Sequence, residues 1–176
     1  MALSACGGGS LAPSPSSSSD SLCGAGKNFA LTPSGGTLTF TVACGASVTI
    51  AYSSESQIPA STTVGLTSTT QLSSFPPPVG TNAKTQAAFT ITASQDVDLL
   101  SQITVDLPAG MTPSGPYGFQ LFEGYGATMY SEEFSAAVSG TTITTPSGAI
   151  GLLLSAGQTY ILEVVQNPDI ADFPPP

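Results

Sequence analysis

The side chains able to do chemistry in this chain are few, and their types narrow the choices. Among 176 residues there is no His, no Arg and no Trp, with two Lys, three Cys and eleven Asp or Glu. Without imidazole there is no His-based triad and no His metal site, and without guanidinium there is no bidentate phosphate clamp. A Ser nucleophile needs a base beside it. Neither Lys27 nor Lys84 has a Ser three residues earlier, where Gly24 and Thr81 stand, and no G-x-S-x-G elbow occurs. Paired carboxylates are the one acid–base chemistry left. Glu123, Glu132 and Glu133 flank Gly124-Tyr125-Gly126, among Tyr117, Phe119, Phe122, Tyr130 and Phe134. Two such acids about 5–10 Å apart, with aromatic rings to hold a sugar, would make a glycosidase-type site. The competing reading is an exposed turn with solvated acids and partly buried aromatics, and it is the preferred one. On that reading Tyr117, Phe122, Glu123, Tyr125, Tyr130, Glu132 and Glu133 form a contact surface, and the chain is not an enzyme.

Metal chemistry has less to work with. Asp96-Val97-Asp98, with Ser94 and Gln95, offers alternating oxygens to a calcium ion, but the glycine-turned twelve-residue loop is missing. The segment reads instead as an acidic turn between a strand ending at Ala93 and one starting near Leu99. Two Cys without His or a third Cys do not complete a tetrahedral site. A Lys–Asn isopeptide would need Lys27 or Lys84 buried beside an Asn and an acid, and nothing in the sequence places them so. No metal and no cofactor is expected.

The elements that must position these groups are strands. Leu38, Phe40 and Val42 alternate with Thr37, Thr39 and Thr41, and Ile103, Val105 and Leu107 alternate with Gln102, Thr104 and Asp106. Val48-Ile50-Tyr52, Val64-Leu66 and Phe89-Ile91 repeat the pattern. Period-two alternation with β-branched and Thr residues marks half-buried strands of antiparallel sheets. Turn residues punctuate them at Pro108-Ala109-Gly110, Pro113–Pro116, Ser139-Gly140 and Pro146-Ser147-Gly148. About ten short strands and no useful 3.6-residue period predict an all-β, antiparallel β-sandwich.

Leu154-Ser155-Ala156-Gly157-Gln158-Thr159-Tyr160 resembles the tyrosine corner of immunoglobulin-like and fibronectin-type domains, in which a strand-starting Tyr bonds back to the preceding turn. Gly35–Phe40, Ser47–Ile50 and Ile58–Val64 are similar to uncharacterised secreted bacterial β-sandwich proteins, and the first part faintly resembles ZU5-type domains. These resemblances imply an immunoglobulin-like sandwich. They carry no activity.

The amino end bears on location. Leu3-Ser4-Ala5-Cys6 resembles the lipobox of bacterial lipoproteins, where small residues precede the Cys that is lipidated. That resemblance implies lipidation of Cys6 and a leader upstream of Met1, and Gly7 after the Cys implies the outer membrane or cell surface. Residues 7–22 are Gly/Ser/Pro-rich and read as a tether spanning roughly 20–25 Å in r.m.s. terms. No apolar run approaches the ~18 residues of a membrane span. Removing Cys6 leaves Cys23 and Cys44. Asn28–Thr32 and Thr37–Ala43, joined by Pro33-Ser34-Gly35-Gly36, read as a hairpin whose register brings these two thiols together, so a disulfide is expected in an oxidising compartment.

Residues 1–22 are therefore read as lipobox remnant and tether, 23–172 as the sandwich and 173–176 as a Pro tail. The alternative is a split at the Pro-rich 75–83 linker, since Phe75-Pro76-Pro77-Pro78 and Phe173-Pro174-Pro175-Pro176 echo each other. A net charge of −9 excludes a nucleic-acid partner. The expected function is a non-enzymatic envelope lipoprotein with a structural or adhesive role, meeting the membrane through its anchor and an unknown ligand or protein at its surface. The alternatives are the glycosidase and a subunit of an extracellular assembly.

Overall fold

In β6 (Val97–Asp106), Val97, Leu99, Ser101, Ile103 and Val105 are buried while the residues between them are partly or fully exposed. That alternation is the pleat itself, one face against apolar neighbours and the other toward water. The computed structural model describes residues 26–41, 46–69, 82–108, 115–123, 130–145 and 150–166. Those residues form β1 (Gly26–Ala30), β2 (Gly36–Thr41), β3 (Ser47–Tyr52), β4 (Thr63–Thr69), β5 (Lys84–Ala93), β6, β7 (Tyr117–Glu123), β8 (Tyr130–Ser139), β9 (Thr142–Thr144), β10 (Ile150–Leu154) and β11 (Thr159–Gln166). The molecule is all-β, as predicted, with no helix among the described residues.

The strands hydrogen-bond antiparallel along the path β1-β4-β5-β11-β7-β8-β9-β6-β3-β2, with β10 also on β6. β8 turns the sheet upon itself. Its Tyr130–Ala136 portion pairs with β7, and Ala137–Ser139 pairs with β9. The path begins at β1 and ends at β2, which are consecutive in the chain, so the sheet is nearly closed and barrel-like. Its interior holds Leu38, Ile50, Leu66, Phe89, Ile91, Leu99, Ile103, Phe119, Ile143, Leu152 and Leu162 among others, each essentially excluded from water. At ~1.5–3 kcal/mol per buried side chain of this size, this interior dominates the favourable side of folding. Strands on both sides of the Pro-rich 75–83 segment share it, because β4 pairs directly with β5.

The hairpin expected from Asn28 to Ala43 does not form. β1 pairs with β4, Phe29 opposite Val64, whereas β2 pairs with β3, Leu38 opposite Ile50. The turn is present: the Gly35 amide donates to the Thr32 carbonyl at 3.2 Å and Gly35 has φ 84°. A Cβ at Gly35 would lie 2.9 Å from the Tyr52 carbonyl oxygen, so glycine is needed there. But the link also carries Leu31 into the core, and the Thr32 amide donates to the Tyr52 hydroxyl at 3.1 Å. It is a corner between two parts of the sheet. Turn residues encode a reversal of direction, not which neighbour the next strand bonds. The register that brought Cys23 beside Cys44 is therefore lost, and both thiols, like Cys6, lie outside the described residues.

Candidate functional site

The segment 117–134 is a strand pair rather than a turn. β7 and β8 run in register from Tyr117 opposite Ala136 to Glu123 opposite Tyr130, and residues 124–129 between them, Tyr125 included, lie outside the described residues. Tyr117 and Phe122 are 5% and 3% exposed, so neither belongs to a contact surface. Burial also raises the Tyr117 phenol above its usual pKa. Phe122 is buried although it sits on the opposite face of β7 from Phe119, because the β7–β11 part of the sheet is covered on both sides. For the acids the register is informative. Glu132 stands opposite Leu121 and Glu133 opposite Gln120.

The oxygens of the 94–98 segment do not converge on an ion. The Ser94 hydroxyl accepts from the Thr63 amide at 2.9 Å, and the Gln95 side chain donates to the Ala60 carbonyl at 2.8 Å. Asp96 Oδ1 accepts from the Ala156 amide at 2.7 Å. Each ties two loops together. Among the described residues no three acids or thiols are grouped to hold a metal.

The same segment does border a groove. It is open, about 480 Å³, and lined by Gln57, Ile58, Pro59, Asp96, Asp98 and Leu153 among others. Three stretches build it. Asp98, near the start of β6, exchanges both backbone bonds with Gln57, at 2.8 and 3.2 Å, and stands opposite Leu153 of β10. Leu153 is 65% exposed, far more than its neighbours Leu152 and Leu154 in the core. Asp98 Oδ1 is shielded from water and accepts no hydrogen bond. A Cβ on Gly151 would lie 3.8 Å from that oxygen, an ordinary contact distance. The groove presents Asp96 and Asp98 beside an apolar rim.

A second carboxylate was missed by the sequence reading. Glu163 lies in the middle of β11, where Tyr160 to Val165 are all buried, and it is itself 0% exposed. Its neighbours across the sheet are Gln120 on β7 and Ala88 on β5. The pairing of β11 with β5 shifts between Val164 and Val165, which stand opposite Ala87 and Thr85. Gln86 is thus an extra residue, a bulge that brings Thr85 onto the Glu163 face. There the Thr85 hydroxyl donates to Glu163 Oε2 at 2.7 Å, while Oε1 has no partner. Burial raises the Glu163 pKa, with the Thr85 bond acting in the opposite sense. The signal was present in the sequence as a lone acid inside an apolar run, Tyr160-Ile161-Leu162-Glu163-Val164-Val165.

The corner before β11 is closed by hydrogen bonds. The Ser155 amide donates to the Tyr160 hydroxyl at 2.9 Å, the Gln158 amide closes the turn on the Ser155 carbonyl at 3.2 Å, and Gly157 occupies φ 74°. Compared with protein-family models, curated proteins and solved structures, the chain matches none of them.

Proposed function

We propose that this chain is a non-enzymatic, lipid-anchored protein of the bacterial cell envelope, which displays one immunoglobulin-like β-sandwich for adhesion or ligand binding. The observation that carries the binding role is the groove of about 480 Å³ beside Asp98, an exposed acidic and apolar surface built from the ends of β6 and β10 and the loops next to them. The immunoglobulin-like reading is supported by the Tyr160 corner, where the chain passes from β10, bonded to β6, to β11, bonded to β5 and β7. The envelope reading rests on Leu3-Ser4-Ala5-Cys6 and the Gly/Ser/Pro tether behind it.

A Cys23–Cys44 disulfide belongs to this proposal. The strands that follow Cys23 and precede Cys44, β1 and β2, run in opposite senses on either side of the Leu31–Gly35 corner. Among the described residues the exposed β1 is bonded to β4 alone, which favours a second reading as a subunit of an extracellular assembly, since a strand edge can accept another strand.

The test is expression from the gene with its own upstream DNA in a bacterial host, with fractionation, labelled palmitate and a Cys6→Ser control. Label at Cys6 and recovery in the membrane fraction are expected. An unlabelled chain recovered in the cytoplasm would overturn the envelope reading. Chain self-association seen by sedimentation would favour the assembly over the monomeric adhesin.

A further inference from the structure

We infer that β1 is an exchangeable strand, and that the edge of β4 which it covers is a docking edge for β1 of a second copy of this chain. This rests on the second reading, the chain as a subunit of an assembly, and names both the partner and the joint.

The two strands of the pair are held unequally. β4 is built into the molecule: Val64 and Leu66 are excluded from water, and its other edge bonds β5 from Val64 opposite Ala93 to Thr69 opposite Ala88. β1 is bonded, among the described residues, to β4 alone, over five positions from Gly26 opposite Thr67 to Ala30 opposite Thr63. Four of its five residues are exposed, and Phe29 packs only in part against the core. The Lys27 ammonium lies 4.8 Å from the centre of the Phe29 ring, a contact within β1 that travels with the strand. Segments with few buried apolar side chains and exposed backbone bonds open without global unfolding. When β1 leaves, β4 presents a row of unpaired backbone groups beside its buried apolar side chains, which is a template for another strand.

The structure itself shows what fits that template, because β1 is seated on it. A second copy carries the same strand. The register that sets Phe29 opposite Val64 is therefore reproduced unchanged between copies, as is the Leu31 amide donating to the Thr62 carbonyl at 2.9 Å. Only the link to β2 has to differ. Thr32, Pro33 and Ser34 in that link are exposed. The turn closes mainly on itself, with the Gly35 amide donating to the Thr32 carbonyl at 3.2 Å and the Thr32 hydroxyl to the Gly35 carbonyl at 2.9 Å. The Thr32 amide adds one bond to β3, at the Tyr52 hydroxyl. Straightened, the four residues Thr32–Gly35 span ~13 Å. Gly35, now at φ 84°, adopts an extended conformation as readily when the turn opens. Two copies that exchange β1 about a twofold axis fill each other's β4 edge once and close as a pair.

Ala30 and Thr63 can report the exchange. Both are exposed and stand opposite each other. The adjacent Leu31–Thr62 pair is the hydrogen-bonded one, so their Cα atoms lie about 4.5 Å apart, a span that a disulfide fits. Full-length chains in which Cys6, Cys23 and Cys44 are replaced by Ser are made with Ala30→Cys or with Thr63→Cys, mixed in native buffer and oxidised. The expected product is a cross-linked pair containing one of each chain. It should exceed by roughly tenfold or more the product of a control mixture with Gln102→Cys in place of Thr63→Cys, since strand pairing raises the effective concentration of the thiols. Hydrogen exchange on the unsubstituted chain should find the β1 amides about a hundredfold faster than those of β11. Cross-linking no better than the control, or β1 amides as slow as those of β11, would overturn the inference. Sedimentation of the unsubstituted chain keeps the two readings apart. Association without the Ala30–Thr63 cross-link would retain the assembly and remove strand exchange as its joint.

Discussion

Asp98 and Glu163 are the same chemistry placed in two environments. Each is a carboxylate on a β-strand, and each has one oxygen that is shielded from water and lacks a hydrogen-bond partner. Asp98 lines an open groove and keeps part of its surface in water. Glu163 is fully enclosed, on a strand covered on both faces, and relies on a single side-chain bond from Thr85. The outcome differs accordingly. Enclosure disfavours the charged form of Glu163 and raises its pKa, whereas Asp98 borders an open groove and is only partly buried. Strand geometry alone does not make a carboxylate functional or structural. What stands over it does.

The comparison can be broken most severely at Thr85. Thr85→Val keeps the shape but deprives Glu163 of its donor, leaving both carboxyl oxygens buried and unbonded. A loss of about 2 kcal/mol is expected, read as a fall in the urea midpoint. An unchanged midpoint would mean that the bond carries no net stability.

Tyr160→Phe removes the acceptor of the Ser155 amide at the corner beside the groove and should cost about 1 kcal/mol. It should also loosen Ser155 and Ala156, which faster hydrogen exchange at those amides would detect.

Glu163→Gln sharpens the contrast through pH. Because the folded pKa is raised, the native state prefers the protonated acid. Its contribution is therefore fully present below the ordinary glutamate range of about 4.3 and is lost as pH rises through the folded value. Glutamine mimics the protonated form and does not titrate. Urea unfolding at pH 4 and pH 7 should give nearly equal stabilities for the two proteins at the lower pH and a more stable variant at the higher. A wild type that gains on the variant as pH rises would reverse the assignment.

Asp98→Asn should have the smallest effect on folding, within about 0.5 kcal/mol, since its structural bonds are made by the backbone. Thermal denaturation measures it, and a larger loss would move Asp98 into the structural class with Glu163.

Much of this architecture was legible in residue order. The alternation in Val97–Asp106 and Ser47–Tyr52 marks strands with one buried face, and both are observed as such. Ser139-Gly140 announces the reversal between β8 and β9, where Gly140 takes φ 62°. Tyr160 announces its corner. The β1–β2 hairpin was misread, because Pro33-Ser34-Gly35-Gly36 states that the chain turns and says nothing about the layer it turns into. Tyr117 and Phe122, read as part of a contact surface, are buried for a related reason. An aromatic near acids can face water or core, and that depends on the face a strand covers.

Local chemistry, then, settles in the sequence itself: strand period, turn conformation and a charge balance hostile to anions follow from side-chain sterics and ionisation, which each residue carries wherever it goes. Partnership does not. Gln57, Asp98 and Leu153 are far apart along the chain, and Thr85 reaches Glu163 only across a bulge. Those meetings were decided when the sheet nearly closed on its core, because hydrophobic burial rewards total enclosed area and is indifferent to which polar groups it brings side by side.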